Sequence, residues 1–337
     1  MRSMDVSRAI LLAGVAALIL AGRMTIPLVY ALALLVGVCD TFFAGSAQAT
    51  LSSIVEEPQL VDANGLLEAG SYATEEAVGP AIGGILFSVS RSVPFAADAI
   101  SFVASAGLLL GLHGDRPHRI HDSRRTQIDA GGEGLWSDTK LGLRWYRDNP
   151  VLRLVTGTVA GLAFCQAMVA GILVLFALER LHLDHVGYGL FMAGLSIGNV
   201  VGGLLAARLI GRLGTARILV LASVLAAAGY LGAGATSSPY VAGGLLSLEA
   251  VAVAVGNVAT VSFRQRATPA ELQARVANVW RAVVWGVIPL GALVGGGLAA
   301  LSSLQVPFLV AGSLQILVAI LAAGPLHRLL KEPVPQP

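Results

Sequence analysis

The amino-acid sequence predicts an all-α membrane protein, a polytopic bundle of about ten transmembrane helices. Three observations carry that prediction. Apolar residues make up 55% of the 337 and charged residues only 12%, about half of the roughly 25% found in soluble chains. The apolar residues gather into stretches near the ~20 residues that a helix needs to cross a bilayer. The basic residues fall on alternate connections between those stretches, as membrane insertion requires. Disorder is excluded, because it needs low hydrophobicity and high charge. A net charge of +2 leaves no footprint for nucleic acid.

The segments lie near residues 7–22, 27–52, 63–88, 93–112, 151–178, 187–210, 217–235, 239–263, 276–301 and 307–326. Several carry Gly or Pro, which membrane helices tolerate because neighbouring helices satisfy the freed backbone groups. The 40 glycines suit close helix packing in lipid. Cys39 and Cys165 sit inside apolar runs and read as buried free thiols. His182, Asp184 and His185 share a short loop and read as loop polarity, with no metal cluster and no cofactor motif in the chain.

Most connections are short. The exception, residues 113–150, separates a partial N-terminal bundle (1–112, four helices) from a C-terminal bundle of six helices (151–337). Its first half, with Gly131-Gly132, reads as a flexible linker. Its second half, about 135–147, interleaves Leu135, Trp136, Leu141, Leu143 and Trp145 with charge and reads as an amphipathic helix on the inner membrane surface. With the N-terminus cytoplasmic, all but four of the 22 Lys and Arg residues lie on the cytoplasmic side: Arg23, Arg91 and Arg180 fall outside and Arg281 within a helix. Both termini are therefore expected in the cytoplasm of a cell (inner) membrane protein. Residues 1–22 also fit a secretory signal peptide, whose removal would leave the rest of this topology unchanged.

The two halves echo each other. Residues 58–84 open with Pro-Gln-Leu-Val-Asp-Ala-Asn and run to Gly83-Gly84; residues 269–297 open with Pro-Ala-Glu-Leu-Gln-Ala-Arg-Val-Ala-Asn and run to Gly296-Gly297. A loop and helix recurring across a central linker is the mark of parallel repeats in transporters. On this map the chain resembles the major facilitator superfamily, in its drug-efflux and enterobactin-exporter branch. Gly79-Pro80-Ala81-Ile82-Gly83-Gly84 is similar to the antiporter signature of the fifth helix, and Asp98 to Phe102 to the start of the sixth. Gly203 to Arg208, with Gly211 to Arg217 and its Gly214, resembles the loop motif between helices eight and nine. Trp280-Arg281 through Gly291 resembles helix eleven. The resemblance implies twelve helices where ten fit, so the first two are expected to be absent, through an internal start or a truncated gene model. The fifth-helix signature departs from its pattern at Glu75, where a glycine is expected.

Charged groups at bilayer depth cost about 2.5–3.5 kcal/mol each on insertion scales, so those placed there are candidate functional residues. Asp40, Glu75, Glu76 and Glu249 fall near the middle of their segments, and Glu68, Asp98 and Arg281 nearer the ends. Glu68, Tyr72, Glu75, Glu76, Gly79 and Gly83 occupy one helical stripe, acidic at its start and a glycine groove with Pro80 and Gly84 at its end. Glu75 or Glu76 is the expected proton carrier, with Asp40 and Glu249 as further candidates. Arg281, between Trp280 and Trp285, is a candidate contact for an anionic or aromatic substrate. The Gly-rich strings follow no strand and lack Gly-Lys-Ser/Thr, and no nucleophile constellation is present, so neither a nucleotide motor nor an enzyme is expected. The expectation is a secondary transporter that exports small amphipathic molecules, fed by a proton or other ion gradient. The alternative is a non-transporting membrane remnant or interaction partner.

Overall fold

The computed structural model describes residues 2–25, 55–111 and 143–329, with isolated positions between 28 and 51. Among them every regular element is helical. Helix α1 spans Arg2–Leu20. A 3-10 turn, Glu57–Gln59, leads into α2, Leu60–Ser71, which widens into a π-helical stretch, Tyr72–Val78, and continues as α3, Gly79–Val89. Helix α4 is Val93–Gly111. After a helical turn at 143–148 come α5, Pro150–Ala170; α6, His185–Leu213; α7, Thr215–Ala235; α8, Pro239–Arg266; α9, Gln273–Gly286; α10, Ile288–Leu301; and α11, Val306–Leu329.

Six helical spans among the described residues are long and apolar enough to cross a membrane, the α9–α10 stretch counting as one. They coincide with the last six predicted segments. The segment predicted at 27–52 and most of the linker lie outside the described residues.

The ends and breaks follow from local chemistry. Asn149 caps α5 by accepting from the Leu152 N–H at 3.1 Å, with Pro150 at the first helical position. Asp184, read from the sequence as loop polarity, caps α6 through the Gly187 N–H at 2.7 Å. Gly214 makes the turn between α6 and α7 at a φ of +79°, open to glycine at little cost. The segment predicted as one helix over 276–301 is interrupted at Val287, because Pro289 at the start of α10 has no N–H to continue the ladder. The π-helical stretch precedes Pro80, which likewise offers no N–H to residue 76. Within it the Thr74 hydroxyl takes the Gly70 carbonyl at 2.8 Å.

The chain divides into two compact units. One comprises Met1–Ile54, Gly79–Gly142 and Ala270–Asn278; the other comprises Val55–Val78, Leu143–Pro269 and Val279–Pro337. In the first, α1 packs on α4, and Ala9, Leu12, Val15 and Ala16 are buried. At that interface Arg8, counted from the sequence on the cytoplasmic side, is buried. It meets Asp5 at 3.5 Å and lies over the Phe102 ring, while the Ser105 hydroxyl donates to Asp5 at 2.8 Å.

The second unit is organised by small residues. A Cβ on Gly65 would stand 2.7 Å from the Gly203 carbonyl oxygen, and one on Gly203 2.9 Å from the Ala69 nitrogen, so α2 and α6 meet backbone to backbone. Gly202 does the same for α6 against α8, and Gly291 and Gly295 for α10 against α5. A separate core holds Phe176, Phe308, Tyr230, Leu246 and Cys165. Outward, Leu190, Leu293, Ile320 and Leu321 are exposed, as helices surrounded by lipid require.

Candidate functional site

The polar residues of the second unit concentrate where α2 and its π-helical continuation lie against α8. Asn64 is buried. Its side-chain N–H groups donate to the Gln265 carbonyl oxygen at 2.6 Å and to the Ser262 hydroxyl at 3.0 Å. Eight residues along, the Tyr72 hydroxyl receives the Asn257 amide at 3.0 Å and donates to the Glu68 carboxyl at 3.2 Å. Eight residues is two turns, about 12 Å of helix. Because Asn64 pairs with Gln265 and Tyr72 with Asn257, the two helices run antiparallel with polar rungs two turns apart. The Asn64 rung is closed off from solvent, whereas Glu68, Tyr72 and Asn257 are half-buried and Glu75 is exposed. The polar seam is thus sealed at one end and open at the other.

The predicted stripe is therefore only partly one surface. Glu68 and Tyr72 are joined as its spacing implied. Glu75 sits in the π-helical stretch, where 3.6-residue periodicity no longer applies. Glu76, Pro80 and Gly84 lie in helix, but their side chains are outside what is described, and Asp40 is outside the described residues altogether. A Cβ on Gly83 would meet nothing within 4 Å among the described residues, whereas Gly65 and Gly203 make a close crossing within the second unit. Gly203 is buried, while Arg208, Gly214 and Arg217 of the same motif are exposed.

Glu249 stands apart. It is buried between α8 and α7, where Gly229 leaves space for it: a Cβ there would be 2.8 Å from the Glu249 Cβ. The Tyr230 hydroxyl hydrogen-bonds its carboxyl, and its other oxygen has no hydrogen-bond partner among the described residues. Arg281 is half-buried with its guanidinium 5.7 Å from the centre of the Trp285 ring. Trp280 faces a different cation, Arg264, at 4.5 Å. Arg264, which the charge count expected on the cytoplasmic side, is buried.

At the start of α5 the linker ends in a docked residue. Tyr146 is buried with the Thr156 hydroxyl 3.4 Å from its own, and burial raises its pKa above the ordinary phenol value. Sequence reasoning missed Asn64, Asn257, Ser262 and Gln265. The repeat held one signal: Asn64 closes the first echoed string as Asn278 closes the second.

Comparison with known proteins bears on this arrangement. A family model described as "Transmembrane secretion effector" matches residues 2–331. No curated protein matches the sequence. Among solved structures, the human organic anion transporter MFSD10 superposes with a TM-score of 0.75 at 16% identity, covering 95% of this chain and 76% of its own. A bacterial homologue of the iron transporter ferroportin in an outward-facing state gives 0.70 at 18%, covering 97% and 80%. The E. coli fucose:proton symporter gives 0.68 at 14%, covering 95% and 83%. At such identities the likeness is one of fold, and the family match carries the assignment: the chain belongs to the transmembrane secretion effector family and is a multi-pass membrane transporter of the major facilitator superfamily.

Proposed function

We propose that the protein is a secondary active transporter that exports small amphipathic molecules by alternating access, driven by a proton gradient. The observation that supports this reading best is the half-buried acid of the α2–α8 seam, hydrogen-bonded to a partner helix through Tyr72, with Glu75 exposed one turn beyond. A carboxyl inside an apolar bundle is costly to keep charged. A transporter offsets that cost by alternately protonating and releasing the group as its access changes sides.

In this reading residues 1–112 and 151–337 are the two halves that rock about a central site. The linker 113–150 joins them on the cytoplasmic face of the inner membrane. Glu75 and Glu76 are the first proton carriers to test, Asp40 and Glu249 the next, and Arg281 with Trp285 a contact for an aromatic or anionic portion of the cargo.

The test is flux of fluorescent amphipathic dyes in proteoliposomes under an imposed pH gradient. The expected result is gradient-dependent movement that is lost in Glu75→Gln or Glu76→Gln. Dye movement indifferent to the gradient removes proton coupling. Unchanged pH dependence in both variants removes these two carboxyls from it.

A further inference from the structure

We infer that the end of the second unit where α5 and α7 start is a docking surface for anionic phospholipids, with exposed arginines taking the headgroup phosphate and the outer faces of α7 and α11 lying along the acyl chains. It goes beyond the transport reading and holds whatever the cargo is.

Helix directions bring the surface together. Gly161 of α5 meets Val318 of α11, and Phe176 beyond α5 meets Phe308. Gly312 of α11 lies against Ala227 of α7, and Phe308 against Gly234. Both α5 and α7 therefore run antiparallel to α11 and start where it ends. Arg144, Arg147 and Arg153 around the start of α5 and Arg217 in the first turn of α7 are exposed there, and Arg328 stands in the last turn of α11. The turn carrying Arg144 and Arg147 is held in place by Tyr146, buried beside Thr156 at 3.4 Å, while its Leu143 is exposed.

The same helices continue as apolar surface. Arg217, Leu221, Val224 and Leu225 fall at i, i+4, i+7 and i+8, one face of α7, and all four are exposed. On α11 Leu317, Ile320 and Leu321 are exposed as well. Leucines that face acyl chains, ending one turn from an arginine, reproduce along one helix the order of a phospholipid from its tails to its phosphate.

Charge selects the kind of lipid. Among the described residues the guanidinium groups of Arg153 and Arg217 meet no carboxylate, and Arg144 and Arg147 share the single Asp148, at 3.9 and 3.4 Å. The other acids at this end, Glu56, Glu57 and Asp62, surround the start of α2, which packs on α6 and α8. They fall on the side of Arg208, Arg212 and Arg266. A guanidinium presents a planar fork that matches two phosphate oxygens. A zwitterionic headgroup brings its own cation to that phosphate, whereas an anionic one leaves the arginines to neutralise it.

The test is lipid retention. The full-length transporter is reconstituted into vesicles holding equal phosphatidylglycerol and phosphatidylcholine of the same chains, extracted in mild detergent and washed, and the lipid kept is quantified. The expected result is enrichment of phosphatidylglycerol over phosphatidylcholine. In Arg217→Gln that enrichment should fall about fivefold, the weight of one basic residue at an anionic surface, and further in the Arg153→Gln, Arg217→Gln double variant. Arg180→Gln, beyond the opposite end of α5, should leave it unchanged. Wild type supplies a reading that no variant's folding can spoil: the enrichment should weaken as the salt of the wash rises. Equal retention of the two lipids, an enrichment indifferent to salt, or one unaltered in the double variant overturns the inference. So does inorganic phosphate that displaces phosphatidylglycerol where chloride of equal ionic strength does not, because the arginines then serve a soluble phosphate.

Discussion

Gly203 shows what a single position does in this molecule. It lies in a glycine-bearing motif at the end of α6 that the sequence singled out as a loop signature, yet its work is done inside the bundle. A methyl group there would stand 2.9 Å from the backbone nitrogen of Ala69 and 3.0 Å from the carbonyl oxygen of Gly65. Neither is the end of a flexible side chain, so the helices themselves must separate. We expect Gly203→Ala to destabilise the detergent-solubilised protein by about 1–3 kcal/mol, the usual cost of overpacking, read as a lower thermal midpoint. Gly70→Ala, on the same helix as Gly65 but with nothing within 4 Å, is the control and should lose no stability. The motif was legible in the sequence, but the reason for it was not, because a glycine in an apolar run says that something comes close without saying what. Glu249 is the converse case. Its charge at mid-segment marked it plainly as buried, whereas its partner Tyr230, on the preceding helix, left no trace in linear order.

The helices were the most legible level, since bilayer thickness imposes their length and leaves ~20-residue apolar runs on the page. What the sequence could not supply was the pairing between them. Asn64 and Gln265 are 201 residues apart, and nothing in either neighbourhood names the other. The helix stripe was also read with the wrong period beyond Ser71, where Pro80 and Thr74 accompany a π-helical stretch. The α2–α8 seam makes a quantitative expectation. In a double-mutant cycle, Asn64→Ala and Gln265→Ala should each destabilise, and together by less than their sum. The coupling should be about 0.6–1.7 kcal/mol, the range of interhelical hydrogen bonds in membranes. Additive effects would mean that the bond is not formed in the bilayer. The linker end offers a pH-dependent counterpart. Tyr146 is buried and its pKa lies above the ordinary value, so the folded state holds the neutral phenol. The contribution is fully present below the unfolded value of about 10 and is lost as pH rises from there through the folded pKa. Thermal stability should therefore fall at strongly alkaline pH, and fall less in Tyr146→Phe.

At the scale of the whole molecule, the distribution of basic residues decides which way the chain faces. The structure shows which of those residues are exposed. Arg8 and Arg264 are buried, one beside Asp5 and Phe102, the other over Trp280. Arg208, Arg212 and Arg217 around the turn at Gly214, Arg266 before α9, and Arg144, Arg147 and Arg153 around the start of α5 are exposed, and the charge distribution in the sequence leads us to expect them on one side. The same expectation puts Arg23, Arg91 and Arg180 on the other. Loop charges act within ~15–20 residues of a span, and all the retained ones lie that close. The α7–α8 connection at 236–238 carries no charge and is expected outside. A compartment-sensitive reporter fused after Pro337 should therefore register the cytoplasm, and one inserted at 236–238 the opposite side. Neutralising Arg208, Arg212 and Arg217 together should redistribute the second reporter, because those three are the nearest exposed positive charges to that hairpin. Neutralising Arg264 should leave it in place, since a guanidinium lodged against an indole is held by packing as well as by charge. If the two reporters faced the same compartment in the unaltered chain, the side assignment would fall.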